Sequence, residues 1–253
     1  MEASVSPAVR ITPPIEGPHF RVLRFDHVEP DCEDVYRLVG LRRDRGNHAR
    51  WFDQVARMLD ELRRVMRPRG IYRIDDVAAL EPTRVRLASG AEYQGTVGRF
   101  LEHTTQIATY VVTIGSGVER LSRGWLRQGK VMQGTIADAI ASTVAEATAE
   151  RLRGEVRAWA RGQGLDATPG YSPGYCGLHV RQQQTLFASL PTQRINVHLT
   201  PSCLMLPVKS VSGLIGIGPA GKVSGDSYPC QHCDHPHCTQ RRAPYDGSGA
   251  TGD

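Results

Sequence analysis

Between about Gly134 and Arg161, apolar residues keep to helical spacing for longer than anywhere else in the chain. This segment constrains the fold most. Ile136, Ile140, Val144, Leu152, Val156 and Trp159 fall on one broad stripe, which has to be buried against other elements. On the opposite side Ala139, Ser142 and Ala149 are small and surround Glu146. A face of small residues lets another backbone approach. Two readings of Glu146 are therefore open: a solvated helix carboxylate, the commoner fate, or a carboxylate set in a groove.

The other elements follow from shorter patterns. Phe20 to Phe25 has strand composition, and a second amphipathic helix is predicted from Ala49 to Met66, closed by Pro68 and Gly70. Val85–Leu87 and Glu92–Tyr93 flank a turn sequence, Ala88-Ser89-Gly90-Ala91, and read as a hairpin. Ala108 to Ile114 reads as a buried strand ending at Gly115. Residues 166–178 hold two prolines and three glycines, which predicts turns without regular structure. A short helix from Gln182 to Leu190 and strands over 195–199 and 210–217 complete the pattern. Four prolines in residues 1–19 mark a flexible lead-in, and after Gly218 the apolar content collapses. The expected division is a lead-in over 1–19, an N-terminal α+β part over 20–104, a core over 105–218, and a polar tail over 219–253.

Charge and length exclude several classes. The 253 residues carry 31 basic and 26 acidic side chains, a net charge of +5, and only three of the basic residues are lysine. The arginines are dispersed rather than blocked together, which argues for a solvated surface and against nucleic acid as a partner. No apolar run approaches a membrane span, and the first residues show neither a basic start nor an apolar core. A cytoplasmic protein is expected. Of six cysteines, Cys32, Cys176 and Cys203 stand alone, while Cys230, Cys233 and Cys238 crowd into nine residues. In a reducing compartment such a cluster points to metal before disulfides. Cys32 is most simply a buried small apolar residue.

Three segments together resemble the activation domain of cobalamin-dependent methionine synthase, including free-standing versions of it. The first is Thr113-Ile114-Gly115, followed by a helix and then Asp138-Ala139-Ile140-Ala141-Ser142 running into Val144-Ala145-Glu146. The second is the turn Ser172-Pro173-Gly174-Tyr175. The third is Leu199-Thr200-x-Ser202-x-x-Met205-x-Pro207-x-Lys209-Ser210-Val211-Ser212-Gly213. Their order and spacing agree across about 105–218, whereas 20–100 has no comparable motif. The resemblance implies an α+β fold, a twisted antiparallel sheet with packed helices, here extended by a Cys-rich C-terminal tail. It also implies a shallow groove for S-adenosylmethionine, and a partner that binds the cobalamin: a methyltransferase or other corrinoid protein. One electron from a flavoprotein or ferredoxin, with the methyl group of S-adenosylmethionine, would return cob(II)alamin to methylcobalamin. No cobalamin-binding Asp-x-His-x-x-Gly segment occurs here, so the corrinoid belongs to the partner.

Carried over by position, the ligand-contacting helix glutamate falls on Glu146, and the glycine-tyrosine turn on Gly174 and Tyr175 with Pro173 holding the loop. Ser210 and Ser212 fall on the strand behind. One departure stands out: the family's arginine five residues before the turn tyrosine is Gly170 here, and Arg181 is not at the matching place. Loss of a bidentate carboxylate clamp predicts weaker ligand binding, restored by Gly170→Arg. In the tail, Cys230, Cys233 and Cys238 suit either zinc, with His232, His235 or His237 as a fourth ligand, or an iron–sulfur cluster completed by Cys176, Cys203 or an external group. Incidental cysteines in a disordered tail are the bland reading. The resemblance favours iron–sulfur, because corrinoid reduction demands a low-potential electron. The competing function is a non-catalytic module whose tail is a zinc knuckle meeting protein or nucleic acid.

Overall fold

The computed structural model describes residues 20–42, 48–223, 225–226, 229–232 and 243–244. The expected lead-in over 1–19 lies outside the described residues. So do Cys233 and Cys238.

The chain builds one seven-stranded antiparallel sheet from β1 (Arg21–Arg24), β2 (Arg69–Glu81), β3 (Arg84–Leu87), β4 (Glu92–Gln94), β5 (Gln106–Thr113), β6 (Leu165–Tyr171) and, last in sequence, β9 (Ser210–Pro219). The order is β4-β3-β2-β5-β9-β6, with β1 paired to the first part of β2. The remaining strands, β7 (His198–Leu199) and β8 (Met205–Leu206), form a separate small pair. The helices are α1 (Cys32–Leu38), α2 (Ala49–Arg63), α3 (Val97–Phe100), α4 (Gly117–Arg127), α5 (Val131–Arg161), α6 (Gln183–Ser189) and α7 (Pro229–His232). The α+β class expected from sequence is the one observed.

Alternation along the strands sets the two faces. Tyr110 and Val112 of β5, with Ile215 and Ile217 of β9, join Ile136, Ile140, Val144, Leu152 and Val156 of α5 in the larger core. Ile107 and Val111 of β5, Leu214 of β9 and Tyr171 of β6 face the other way, where Leu186, Leu190 and Ile195 cover them. At 31 residues, α5 spans roughly 46 Å at 1.5 Å per residue. It is buried more widely than one stripe, because α1, α2 and α4 pack on it from outside the sheet. Ala139 and Ala149, read as part of a small-residue groove, are buried in that core.

Several expectations need correction. Residues 165–171 form β6 rather than irregular turns, despite Pro169 and Gly170. β6 is an edge strand, and its pairing with β9 is interrupted between Ala167 and Gly170, where the missing proline N–H does least harm. There the Gly216 N–H donates to Thr168 Oγ1 at 2.9 Å instead of to a backbone carbonyl. The strand predicted over 195–199 shrinks to β7, because Thr192–Ile195 turns as a 3-10 segment ending on left-handed Asn196. The 13-residue β2 was not expected, since Gly70 reads as a helix stop. In the structure Gly70 lies under α5, where a Cβ would come within 2.6 Å of Leu152 Cδ1. Cys32 is exposed, not buried.

Candidate functional site

The candidate site begins on the face of α5 turned toward β6 and β9. Glu146 is half-buried there and forms no ion pair or hydrogen bond among the described residues. Two turns further along, Arg153 lies folded against the sheet with its side chain 17% exposed. Its Nη1 donates to the Tyr110 hydroxyl at 3.3 Å, its Nε donates to Glu150 at 3.1 Å, and its Nη2 pairs with the same carboxylate. Burial pushes the Tyr110 phenol up; Arg153 opposes this, and the charge of Glu146 adds to it. Burial disfavours the charge on Arg153, but Tyr110 and Glu150 outweigh that and hold the guanidinium firmly protonated.

Gly170 completes this cluster. A Cβ built on it would sit 2.8 Å from the Tyr110 hydroxyl, 3.0 Å from Arg153 Cδ and 3.1 Å from Arg153 Nη1. The helix arginine thus fills the space that a side chain at 170 would need. Sequence reasoning missed Arg153. The available signal was its place seven residues after Glu146, which puts the two on one helix face. Arg181, the nearest arginine in sequence to the turn, is exposed in a short 3-10 segment instead.

Two residues beyond Gly170 the chain enters the Ser172–Leu178 turn. The Tyr175 N–H donates to Ser172 O at 3.1 Å, and the Gly174 N–H to Leu178 O at 2.6 Å. Gly174 has φ +100° and open space at its Cα, so this corner suits glycine and leaves its backbone approachable. Pro173 is buried and Tyr175 is 56% exposed. The far side of the turn is clamped to the loop after β4: a Cβ on Gly177 would fall 1.7 Å from Thr96 Oγ1. An exposed tyrosine and an open glycine are thereby held on a fixed base.

Ser210 and Ser212 lie on the sheet face turned away from α5, because their neighbours Val211 and Ile215 pack on the α5 side. Ser210 Oγ donates to Pro207 O at 2.7 Å, and the buried Ser212 Oγ has no hydrogen-bond partner. The sheet therefore separates both serines from Glu146. Next to them Lys209 ties β9 to α5: its Nζ reaches Asp138 at 2.8 Å and Ser142 Oγ at 2.9 Å.

Beyond β9 the chain folds back along β6. Arg157 bridges Asp166 at 2.7 Å and Asp226 at 2.9 Å, and α7, which carries half-buried Cys230, packs against β6. The expected metal cluster of Cys230, Cys233 and Cys238 lies mostly outside the described residues. Among the described residues no group of three His, Cys, Asp or Glu side chains is placed to hold a metal.

The same architecture occurs in a crystal structure of the MetH reactivation domain bound to AdoHcy. The two share 17% identity, with a TM-score of 0.62 over 84% of this chain and 82% of that one. No curated protein matches the chain. The family model for the activation domain of vitamin B12 dependent methionine synthase matches residues 100–226, from α3 to the segment anchored by Asp226. This chain belongs to that family. Among the described residues, no helix is long and apolar enough to cross a membrane.

Proposed function

We propose that this chain reactivates a cobalamin-dependent methyltransferase of the methionine synthase type, with S-adenosylmethionine as methyl donor. The observation that carries the reading is the family match over 100–226, whose span contains the cluster of Glu146, Tyr110, Arg153 and Gly170 and the turn at 172–178. The likeness to a domain bound to AdoHcy supports a ligand of that kind. Glu146 supplies a carboxylate with no protein cation of its own, suited to an ammonium or sulfonium group. Gly174 and Tyr175 offer open backbone and an exposed ring for the remainder of the ligand, with Pro173 fixing the corner. In place of an arginine at 170, Arg153 brings a guanidinium to the same point of the sheet, already held by Tyr110 and Glu150. Ser210 and Ser212 support from behind the sheet. The sulfonium is an activated methyl donor, so the chain contributes orientation above all.

The cobalamin is bound by the partner, a methyltransferase or other corrinoid protein, and a flavoprotein or ferredoxin supplies the one electron that cob(II)alamin needs along with the methyl group. The tail's Cys230, Cys233 and Cys238 would hold an iron–sulfur cluster or zinc, and the packing of α7 on β6 starts that tail beside the candidate groove. Equilibrium binding of S-adenosylmethionine to the full chain tests the ligand. Recovery of methylcobalamin from cob(II)alamin on a corrinoid partner, with reductant, tests the activity. Glu146→Ala and Tyr175→Ala should each slow recovery while the melting temperature stays unchanged. Wild-type protein that neither binds S-adenosylmethionine nor restores any such partner would end this reading.

A further inference from the structure

At the end of the sheet where β5 meets α4 lies a separate open cleft of about 440 Å³. Arg67, Arg69 and Arg120 line it, arriving from the segment before β2, from β2 itself and from the first turn of α4. Among the described residues none of the three is ion-paired with a carboxylate, whereas Arg73, Arg84, Arg153 and Arg157 each are. The single carboxylate in the cleft, Glu119, is already engaged: it accepts the Lys209 N–H at 3.1 Å and pairs with Arg123 at 3.2 Å.

Two of the guanidiniums are held in position. Arg67 Nη1 donates to the carbonyls of Arg64 and Met66 at 2.9 and 2.6 Å, and Arg120 donates to the Ser116 hydroxyl. That hydroxyl makes no hydrogen bond to the first turn of the 11-residue α4, whose N-terminal end also opens on the cleft. Three guanidiniums beside one carboxylate that is already shared with Arg123 leave the cleft with a surplus of positive charge, which a bound anion would balance. Guanidinium donors supplied by three chain segments can reach a tetrahedral phosphate from different sides, whereas a planar carboxylate is matched by a single bidentate fork. The cleft is much larger than a bare oxyanion, and Val65, Ile195 and Pro207 give it an apolar wall.

We propose that this cleft binds the phosphate group of a small phosphate monoester, the organic part lying against the apolar wall. This site is distinct from the proposed S-adenosylmethionine groove and does not depend on it.

Calorimetric titration of the full chain in phosphate-free, low-chloride buffer tests it, with inorganic phosphate, phenyl phosphate and phenol as probes. Both phosphates should bind saturably, phenyl phosphate more tightly than inorganic phosphate, and phenol should not bind; equal binding of the two phosphates would overturn the assignment of an ester to the apolar wall. Arg69→Gln and Arg120→Gln should each weaken binding about tenfold or more, as expected for loss of one charge-assisted contact. Arg84→Gln, on the distant β3, should change it less than about twofold. S-adenosylmethionine binding should be the same in Arg120→Gln as in wild type. Arg120 is exposed, so that variant reports even if Arg69→Gln fails to fold. Absence of saturable binding to either phosphate, or equal losses in Arg84→Gln and Arg120→Gln, would overturn the proposal.

Discussion

Gly170→Ala asks whether Arg153 really occupies the place of a side chain at 170. The added methyl would lie 2.8 Å from the Tyr110 hydroxyl and 3.0 Å from Arg153 Cδ. Tyr110 is fully buried between the sheet and α5, so its ring has nowhere to retreat. The guanidinium has to swing outward instead. That forfeits its hydrogen bond to Tyr110, worth about 1.5–3 kcal/mol as a charged contact, and strands a buried hydroxyl. The alanine returns about 0.4–1 kcal/mol through a stiffer unfolded chain, because φ at 170 is not in the left-handed range. The net cost is about 1–2 kcal/mol, a fall of roughly 2–8 °C in Tm for a chain of this size. Thermal unfolding by circular dichroism measures it directly. In an Arg153→Ala background much of the penalty should vanish, since the Tyr110 hydroxyl can then shift away from the methyl into the space the arginine leaves. A Gly170→Ala protein that melts at or above wild type, or the same penalty in both backgrounds, would refute the reasoning. Gly170→Arg, expected from sequence to strengthen S-adenosylmethionine binding, should weaken it instead, because Arg153 already fills that space from the helix.

The remaining predictions are simpler. Gly154→Ala, in the exposed middle of α5 with open space at its Cα, should stabilise by about 0.5–1 kcal/mol and raise Tm by roughly 1–4 °C. Ile140→Ala, at a fully buried position of the same helix, should cost about 2–5 kcal/mol in denaturant unfolding. Hydrogen bonds from Arg157 hold the Asp166 carboxyl down at about 2, against 3.8 when unperturbed. Since the folded value is the lower one, this contribution is complete above about pH 4 and is lost as pH falls toward 2. The Tm advantage of wild type over Asp166→Asn should therefore be constant near neutrality and shrink across that acid window.

Some of this protein was written in local pattern alone. The period of α5, the strands β5 and β9 and the hairpin of β3 and β4 follow from side-chain alternation and turn residues, which act within a few positions of one another. The motifs at 138–146, 172–175 and 199–213 likewise point to the family through residue order and spacing alone. What sequence could not decide were the places where a distant contact overrules a local signal. Gly70 and Pro169 read as breakers, yet both sit in strands: Gly70 because α5 crosses directly above it, Pro169 because its strand lies at an edge where a lost N–H is tolerated. Glu146 and Arg153 share a helix face in any reading. Only the packing of α5 on β6 and β9 brings that arginine against Gly170 and Tyr110, and turns an apparent absence at 170 into an exchange of position. Likewise no spacing in the sequence unites Arg67, Arg69 and Arg120, because their cleft exists only once the sheet has aligned β2 and β5 and set α4 across their ends. Local propensity acts through neighbours in the chain, whereas a site is made by neighbours in space, and the antiparallel sheet decides which residues those are.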